Sequence, residues 1–254
     1  MNTEKIGNIL AEITNKKTKK TKIIYNEFDE SNVKDYICNI KLNSDEIIEQ
    51  IPNKNSERDV LYITGASGSG KSYYCKNYLL NYNKAYPTRP IYIFSSLTED
   101  ETLDNAKIKN FKRIKLNQQF LDLDLSLSDF KNCCIMFDDC DNLSNKNLKS
   151  KIFNILNTLL QTARHTNTTV IVTSHLPTNG LETKIILAEA KSITIFPSTL
   201  GSRSIKYLLD NYLGLDRNEI KVIKKLKTRW FTIFRTSPLI GMSETGIYCI
   251  KQEE

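Results

Sequence analysis

Eight residues, Gly65, Ala66, Ser67, Gly68, Ser69, Gly70, Lys71 and Ser72, fit the spacing G-x-x-x-x-G-K-[ST] without a mismatch. Glycines at these positions let the backbone turn its N–H groups inward onto phosphate oxygens, and a following helix N-terminus adds positive potential. In such a loop the Lys71 ammonium reaches the β and γ phosphates, while the Ser72 hydroxyl is placed to hold Mg²⁺. The flanks agree with this chemistry. DVLYIT before the loop reads as a buried strand, and KSYYCKNYLLNY after it reads as a helix. The residues expected around a bound ATP therefore run from Gly65 through Tyr73.

A second acid must complete such a metal site. CCIMFDDCD is an apolar strand that ends in Asp138 and Asp139, and burial alone does not account for two carboxylates at its tip. In this position Asp138 would hold Mg²⁺ through water and Asp139 would polarise the attacking water. The next apolar run, TTVIVTSH, ends in polar residues where a γ-phosphate sensor belongs, so Ser174 and His175 are the sensor candidates. His175 reads equally well as an ordinary satisfied histidine. Arg164 lies between these segments, at the end of a long helix pattern. It is placed either to reach a neighbouring subunit's phosphates or to complement the helix dipole.

The elements that must carry these residues alternate. PIYIFSS (90–96) and KSITIF (191–196) add strands to those already named. NLKSKIFNILNTLLQTAR sets Leu148, Ile152, Ile155, Leu156, Leu159, Leu160 and Ala163 on one helical stripe, and ETKIILAEA is a further helix. Short apolar strands alternating with helices imply an α/β fold with a mostly parallel central sheet flanked by helices. A complete strand between phosphate loop and acid pair, the acid directly after Asp138, and the polar strand end mark the RecA-like (ASCE) P-loop NTPase branch.

Residues 1–55 read as an N-terminal extension, partly flexible. TNKKTKKTK (14–22) reads as a solvated tail, or as an arm that touches DNA, VKDYICNIKLNSDEIIEQI as a strand and a short helix, and IPNKNSER as a linker. The RecA-like core spans 56–200. Beyond it, 201–254 reads as two helices, SRSIKYLLDNYLGL and DRNEIKVIKKLK, then RWFTIFRT and GIYCIK as a strand pair. Within this part Lys221, Lys224, Lys225, Lys227, Arg229 and Arg235 occur without an acid, with Trp230, Phe231 and Phe234 interleaved. Such a segment suits a DNA phosphate backbone, or is a basic helix followed by an amphipathic strand.

Lys and Arg total 36 against 29 Asp and Glu, a formal charge of +7 that favours an anionic partner without choosing among them. Six cysteines form no C-x-x-C pair and only two histidines accompany them, so reduced thiols, an intracellular setting and no structural zinc are expected. MNTEKIGNIL lacks the apolar stretch of a signal peptide, and no run approaches a membrane span, so a soluble protein without a membrane partner is expected.

The phosphate loop, the hhhhDD strand, and Arg164-His165 ahead of a strand ending Thr173-Ser174-His175 together resemble the genome-packaging ATPases of large nucleocytoplasmic DNA viruses and virophages. These belong to the FtsK–HerA class of DNA-pumping motors. The likeness runs from about Val60 to His175, with a softer match over LGSRSIKYLL and LKTRWFTIFRTSP. It implies a homo-oligomeric ring, hexamer or pentamer, that uses ATP and Mg²⁺ to drive double-stranded DNA into a preformed capsid. It further implies Arg164 as a finger acting in trans, capsid or portal-like vertex proteins as partners, and a place in the host cytoplasm (the viral factory) or the virion. Two positions depart from the pattern. Many of that class carry Glu where Asp139 stands and Gln as the sensor. A helicase-like DNA motor, a P-loop nucleotide kinase and an ATP-gated assembly subunit are the alternative readings.

Overall fold

The computed structural model describes residues 7–26 and 40–250. Strand β1 (Asn8–Asn15) pairs antiparallel with β2 (Thr21–Asn26) and with β4 (Glu46–Gln50), forming a three-stranded sheet. Ten strands make the main sheet. After the short β3 (Ile40–Lys41) come β5 (Val60–Thr64), β6 (Ile91–Ser95), β7 (Phe111–Lys115), β8 (Cys134–Asp138), β9 (Thr169–Ser174) and β10 (Ser192–Ile195). The last three are β11 (Phe231–Phe234), β12 (Leu239–Ser243) and β13 (Gly246–Ile250), and the order across the sheet is β3-β13-β12-β11-β10-β5-β9-β8-β6-β7. From β10 to β7 all neighbours are parallel, and from β10 to β3 all are antiparallel.

Period-2 side chains divide the core between the two faces of this sheet. Leu61, Ile63, Cys134 and Met136 face α1 (Lys71–Ala85), with its buried Tyr74, Tyr78 and Leu79. The short helices α2 (Glu101–Asp104) and α3 (Gln118–Leu121) flank β7. Tyr62, Ile135 and Phe137 face the opposite layer, α4 (Lys146–Thr162) and α5 (Gly180–Glu189), where Ile152, Leu156, Leu159 and Leu160 form the stripe expected from the sequence. The same cluster continues through α6 (Ser202–Leu213) and α7 (Arg217–Lys225). Among the described residues no helix is long and apolar enough to cross a membrane. Cys75, Cys133, Cys134 and Cys140 are free, buried thiols, and burial pushes Cys133 up to about 12. Cys38 lies outside the described residues.

Three expectations fail, each for a physical reason. TNKKTKKTK is the β1–β2 hairpin rather than a tail: Asn15 Oδ1 accepts from the Lys17 and Thr18 amides, and Lys17 pairs with Asp45. The segment expected as a short helix is β4, because Ile48 and Gln50 are buried at alternate positions and pair against β1. Residues 33–39 of that stretch lie outside the described residues. RWFTIFRT and GIYCIK are strands but do not pair with each other; β12 lies between them. Its sequence, LIGMS, hides the strand behind a glycine, and Gly241 is needed there because a β-carbon would collide with the Phe231 ring.

The small sheet packs Leu10, Ile13, Ile24 and Ile48 onto Phe234, Ile240, Met242 and Ile247 of the antiparallel extension. A buried polar network joins the same parts. The Tyr74 hydroxyl donates to Gln50 Oε1 at 2.8 Å and lies 2.8 Å from Thr232 Oγ1, while Gln50 Nε2 donates to Ser192 Oγ at 3.0 Å. Tyr74→Phe leaves Gln50 without that donor. It is expected to lower stability by about 1–3 kcal/mol, read as an earlier urea midpoint with unchanged slope.

Candidate active site

The parallel register builds the site. Strands β6, β8 and β9 end at one edge of the sheet, with Ser95 beside Asp138 and Phe137 beside Val172, so Thr173 stands next to Asp138 on the other side. Strand β9 lies between β8 and β5, and the Gly65 amide donates to Ser174 O at 3.1 Å, which brings the phosphate loop to the same edge.

Helix α1 begins at this edge with Gly70 as its N-cap, at φ 108° and ψ 15°. That left-handed conformation suits glycine, and the cap has no side chain to occupy the helix's first N–H groups. Those groups are left facing the loop, the arrangement that binds anions. Within the loop, Ser69 Oγ and, at the end of β5, Thr64 Oγ1 are buried without a hydrogen-bond partner among the described residues. Phosphate oxygens would supply what these hydroxyls lack. Lys71 is only 7% exposed; its Nζ donates to Gly65 O at 2.8 Å and lies 3.5 Å from Asp139 Oδ2. Ser72 is half-buried, whereas Ser67, Gly68 and Tyr73 are exposed.

Asp138 is also 7% exposed. Its Oδ2 accepts from Ser95 Oγ at 2.9 Å and its Oδ1 from Thr173 Oγ1 at 3.1 Å. Burial, with the Asp139 charge adding to it, raises the Asp138 carboxyl above its ordinary range despite these bonds. Asp139 adopts a left-handed backbone, φ 45°, a conformation Asp tolerates better than most residues. Its amide donates to Thr173 Oγ1 at 2.9 Å, which turns the carboxylate towards Lys71 and towards His175 Nε2 at 2.9 Å. The Ser174 hydroxyl instead lies 2.9 Å from both Asp141 Oδ2 and Leu176 O and shares its one proton between them.

Sequence reasoning named Lys71, Ser72, Asp138, Asp139, Ser174 and His175, all of which come to this edge. It missed Ser95 and Thr173, the two hydroxyls on Asp138. A signal was present: both are polar residues at the C-terminal ends of otherwise apolar strands. The Arg164 position is different. It precedes the start of β9, and β5 and β9 run parallel from Val60 and Val170, so Arg164 lies at the edge opposite its own phosphate loop. Its side chain is 71% exposed and Nε donates to Glu57 Oε2 at 2.6 Å. Of the basic C-terminal set, Lys221, Lys225 and Lys227 are exposed, Lys224 donates to Ser202 Oγ at 2.6 Å, and Arg235 is held by Leu187 O. Arg229 sits beside Gly70. Phe231 and Phe234 are buried in the core, so they offer no stacking surface to DNA.

For Mg²⁺ the donor set is of the right kind. No three His, Cys, Asp or Glu cluster as a cage among the described residues. One carboxylate and one hydroxyl, completed by phosphate oxygens and water, is the form in which Mg²⁺ is usually held at phosphate sites.

The AAA domain family matches residues 54–177. "Uncharacterized protein V3" of Sputnik virophage is 38% identical over 192 residues, covering 74% of this chain and 76% of the relative. Among solved structures, the genome-packaging NTPase B204 of Sulfolobus turreted icosahedral virus 2 in complex with AMPPCP has a TM-score of 0.48 at 16% identity, over 77% of this chain and 100% of that one. The cytoplasmic domain of the Type VII secretion ATPase EccC of Thermomonospora curvata has a TM-score of 0.52 at 14% identity, over 86% of this chain and 29% of that one. The chain belongs to the same family as the virophage protein V3, and its fold is that of AAA-type P-loop NTPases.

Because the Asp138 carboxyl is raised, the folded state holds its proton more tightly than the unfolded chain does. This ionisation therefore opposes folding increasingly as pH climbs from the ordinary aspartate value through the raised one. Asp138→Asn is expected to melt at least about 2 °C above the parent at pH 7, the difference closing below pH 4. Thermal melts over pH 3–8 check it; a lower melting temperature at pH 7 would show that the charge is compensated.

Proposed function

We propose that the protein is a genome-packaging ATPase: a Mg²⁺-dependent motor that hydrolyses ATP in a homo-oligomeric ring and moves double-stranded viral DNA into a preformed capsid, in the infected cell or the assembling virion. The observation that carries this reading is the convergence of Lys71, Asp139 and His175 beside buried Asp138, at the uncapped start of α1. That arrangement suits phosphoryl transfer from a nucleoside triphosphate to water. The motif resemblance supports the packaging role, and the virophage relative supports a viral setting.

Ser72 and Asp138 would hold Mg²⁺, whose chemistry here is to neutralise charge on the phosphate oxygens. Lys71 would exchange its bond to Gly65 O for β and γ oxygens. Asp139 would orient the attacking water, with Thr173 fixing its backbone and His175 its carboxylate. Since Ser174 is committed to Asp141, sensing of the γ-phosphate falls to His175, acting through Asp139. Arg164 would serve a neighbouring subunit, because the sheet separates it from its own loop. Lys221, Lys225 and Lys227 would meet DNA phosphates.

ATPase rates, taken with and without long duplex DNA on assembled protein, test this. Lys71→Ala and Asp139→Asn are each expected to cost about 10²-fold or more. Arg164→Ala should also be slow, yet mixing it with Lys71→Ala subunits should restore activity, because one interface then pairs an intact loop with an intact arginine. DNA should stimulate the parent, and binding should weaken steeply with salt, by ~0.9 log units per log unit for each phosphate neutralised. Neutralising Lys221, Lys225 and Lys227 together should flatten that slope. Equal rates with and without DNA would favour a passive assembly subunit and overturn the motor reading.

A further inference from the structure

A cleft of about 510 Å³ opens beside the phosphate loop, a size within the about 300–1,000 Å³ of small-molecule sites. Ser69 and Gly70 form one end. Tyr73 and Asn77 of α1, Arg229 and Trp230 before β11, and Glu244 in the β12–β13 turn line the rest, together with β4 of the small sheet and Asn43 and Ser44 ahead of it. We propose that this cleft seats a purine base whose exocyclic amino group donates to Glu244. The proposal rests on the nucleoside triphosphate reading above and names the part of the ligand that reading leaves without contacts.

Three observations lead there. First, the cleft is continuous with the phosphate loop, on the side towards the residues that follow Lys71-Ser72, so a nucleoside leaving the loop along α1 enters it. Second, its polar lining is incomplete. Ser69 Oγ at the phosphate end is buried without a partner among the described residues, and so is Glu244 Oε2 in the β12–β13 turn. Glu244 Oε1 already accepts from the Arg229 amide at 2.8 Å, which fixes the carboxylate and leaves one oxygen in need of a donor. A carboxylate oxygen cannot pair with a ring nitrogen or a carbonyl, only with an N–H or O–H. Third, the walls between are flat and apolar or cationic. Trp230 is held edge-on by Tyr74 at 5.2 Å between centroids, and Tyr73 keeps 57% of its surface open. An Arg229 guanidinium nitrogen lies 4.0 Å from where a Gly70 β-carbon would be, so its charge stands where loop and cleft meet. Stacking surfaces with one unpartnered buried acceptor match a purine that carries an exocyclic amino group, as adenine does.

Calorimetric titration in Mg²⁺ with ATP, purine riboside triphosphate (the same base without its amino group), UTP and inorganic triphosphate tests this without relying on any variant. ATP should bind about 10-fold or more tighter than purine riboside triphosphate, as expected for loss of a hydrogen bond to a charged acceptor, and UTP should be weaker still. In Glu244→Ala that discrimination should vanish while inorganic triphosphate binds as before. Tyr73→Ala should weaken ATP and purine riboside triphosphate by a common factor. If inorganic triphosphate binds but ATP, purine riboside triphosphate and UTP are equal, the base site is overturned and the phosphate site stands. If Glu244→Ala keeps the preference for ATP, the assignment to Glu244 is overturned. If inorganic triphosphate does not bind at all, both readings fall together.

Discussion

A carboxylate held away from water at the end of β8 sets the terms for its surroundings. Taking an ion of this kind out of water costs several kcal/mol unless charge or hydrogen bonds replace the hydration. Asp138 has two such bonds, from Ser95 and Thr173, on the strands to either side of it. They exist only because β6, β8 and β9 are parallel and end in register. A slip of one residue would turn every side chain of β8 to the other face and take Asp138 out of reach of both hydroxyls. The sheet's register and the electrostatics of the site are therefore one constraint. Thr173 extends it to Asp139, whose amide it accepts, and through Asp139 to Lys71 and His175. The carboxyl remains raised even so, which is the condition of a group that gains when a cation arrives.

The parts outside the parallel core bear on the same edge. Strands β11 to β13 continue the main sheet, and the small sheet of β1, β2 and β4 covers one face of that continuation. Gln50, Tyr74, Thr232 and Ser192 tie the small sheet, α1 and the extension together through buried hydrogen bonds. A buried network of this kind is costly when half satisfied, so it favours one arrangement of the three parts. That arrangement forms the cleft next to the phosphate loop. The N-terminal and C-terminal segments thus act as walls of a site whose floor belongs to the core.

Arg164 stands apart from the rest of the site. At the edge of the sheet opposite its own loop, it is separated from those phosphates by the length of β5 and β9. Its neighbour Arg58 is buried and donates to Leu159 O at the end of α4, which anchors the turn that carries Arg164. An exposed guanidinium on an anchored turn, paired to a single exposed Glu57, is easily exchanged for a stronger anion, since surface ion pairs are worth little. In the ring proposed above, head-to-tail contacts would bring such an edge against the next subunit's loop.

Much of the candidate site was legible along the chain because its placement depends on local geometry. A phosphate loop needs a strand, glycines and a helix start in immediate succession, so Gly65 to Ser72 announced itself, and Asp138-Asp139 at the tip of an apolar run nearly as clearly. Helical stripes such as that of α4 were equally readable, since their period is set by the backbone. What the sequence did not disclose depends on partners distant in the chain. Ser95 and Thr173 became ligands of Asp138 only through strand register. LIGMS became a strand because Phe231 lies over Gly241, and EIIEQ became β4 because β1 offered it an edge to pair with. Ser174 and His175 were indistinguishable until the tertiary structure gave the first to Asp141 and the second to Asp139. Arg229 read as one of a row of cations suited to DNA, and folding set it apart from that row, beside Gly70. Local periodicity and motif spacing act over a few residues of contour, whereas hydrogen-bond partners and clefts are fixed by which strands become neighbours, and only the assembled sheet decides that.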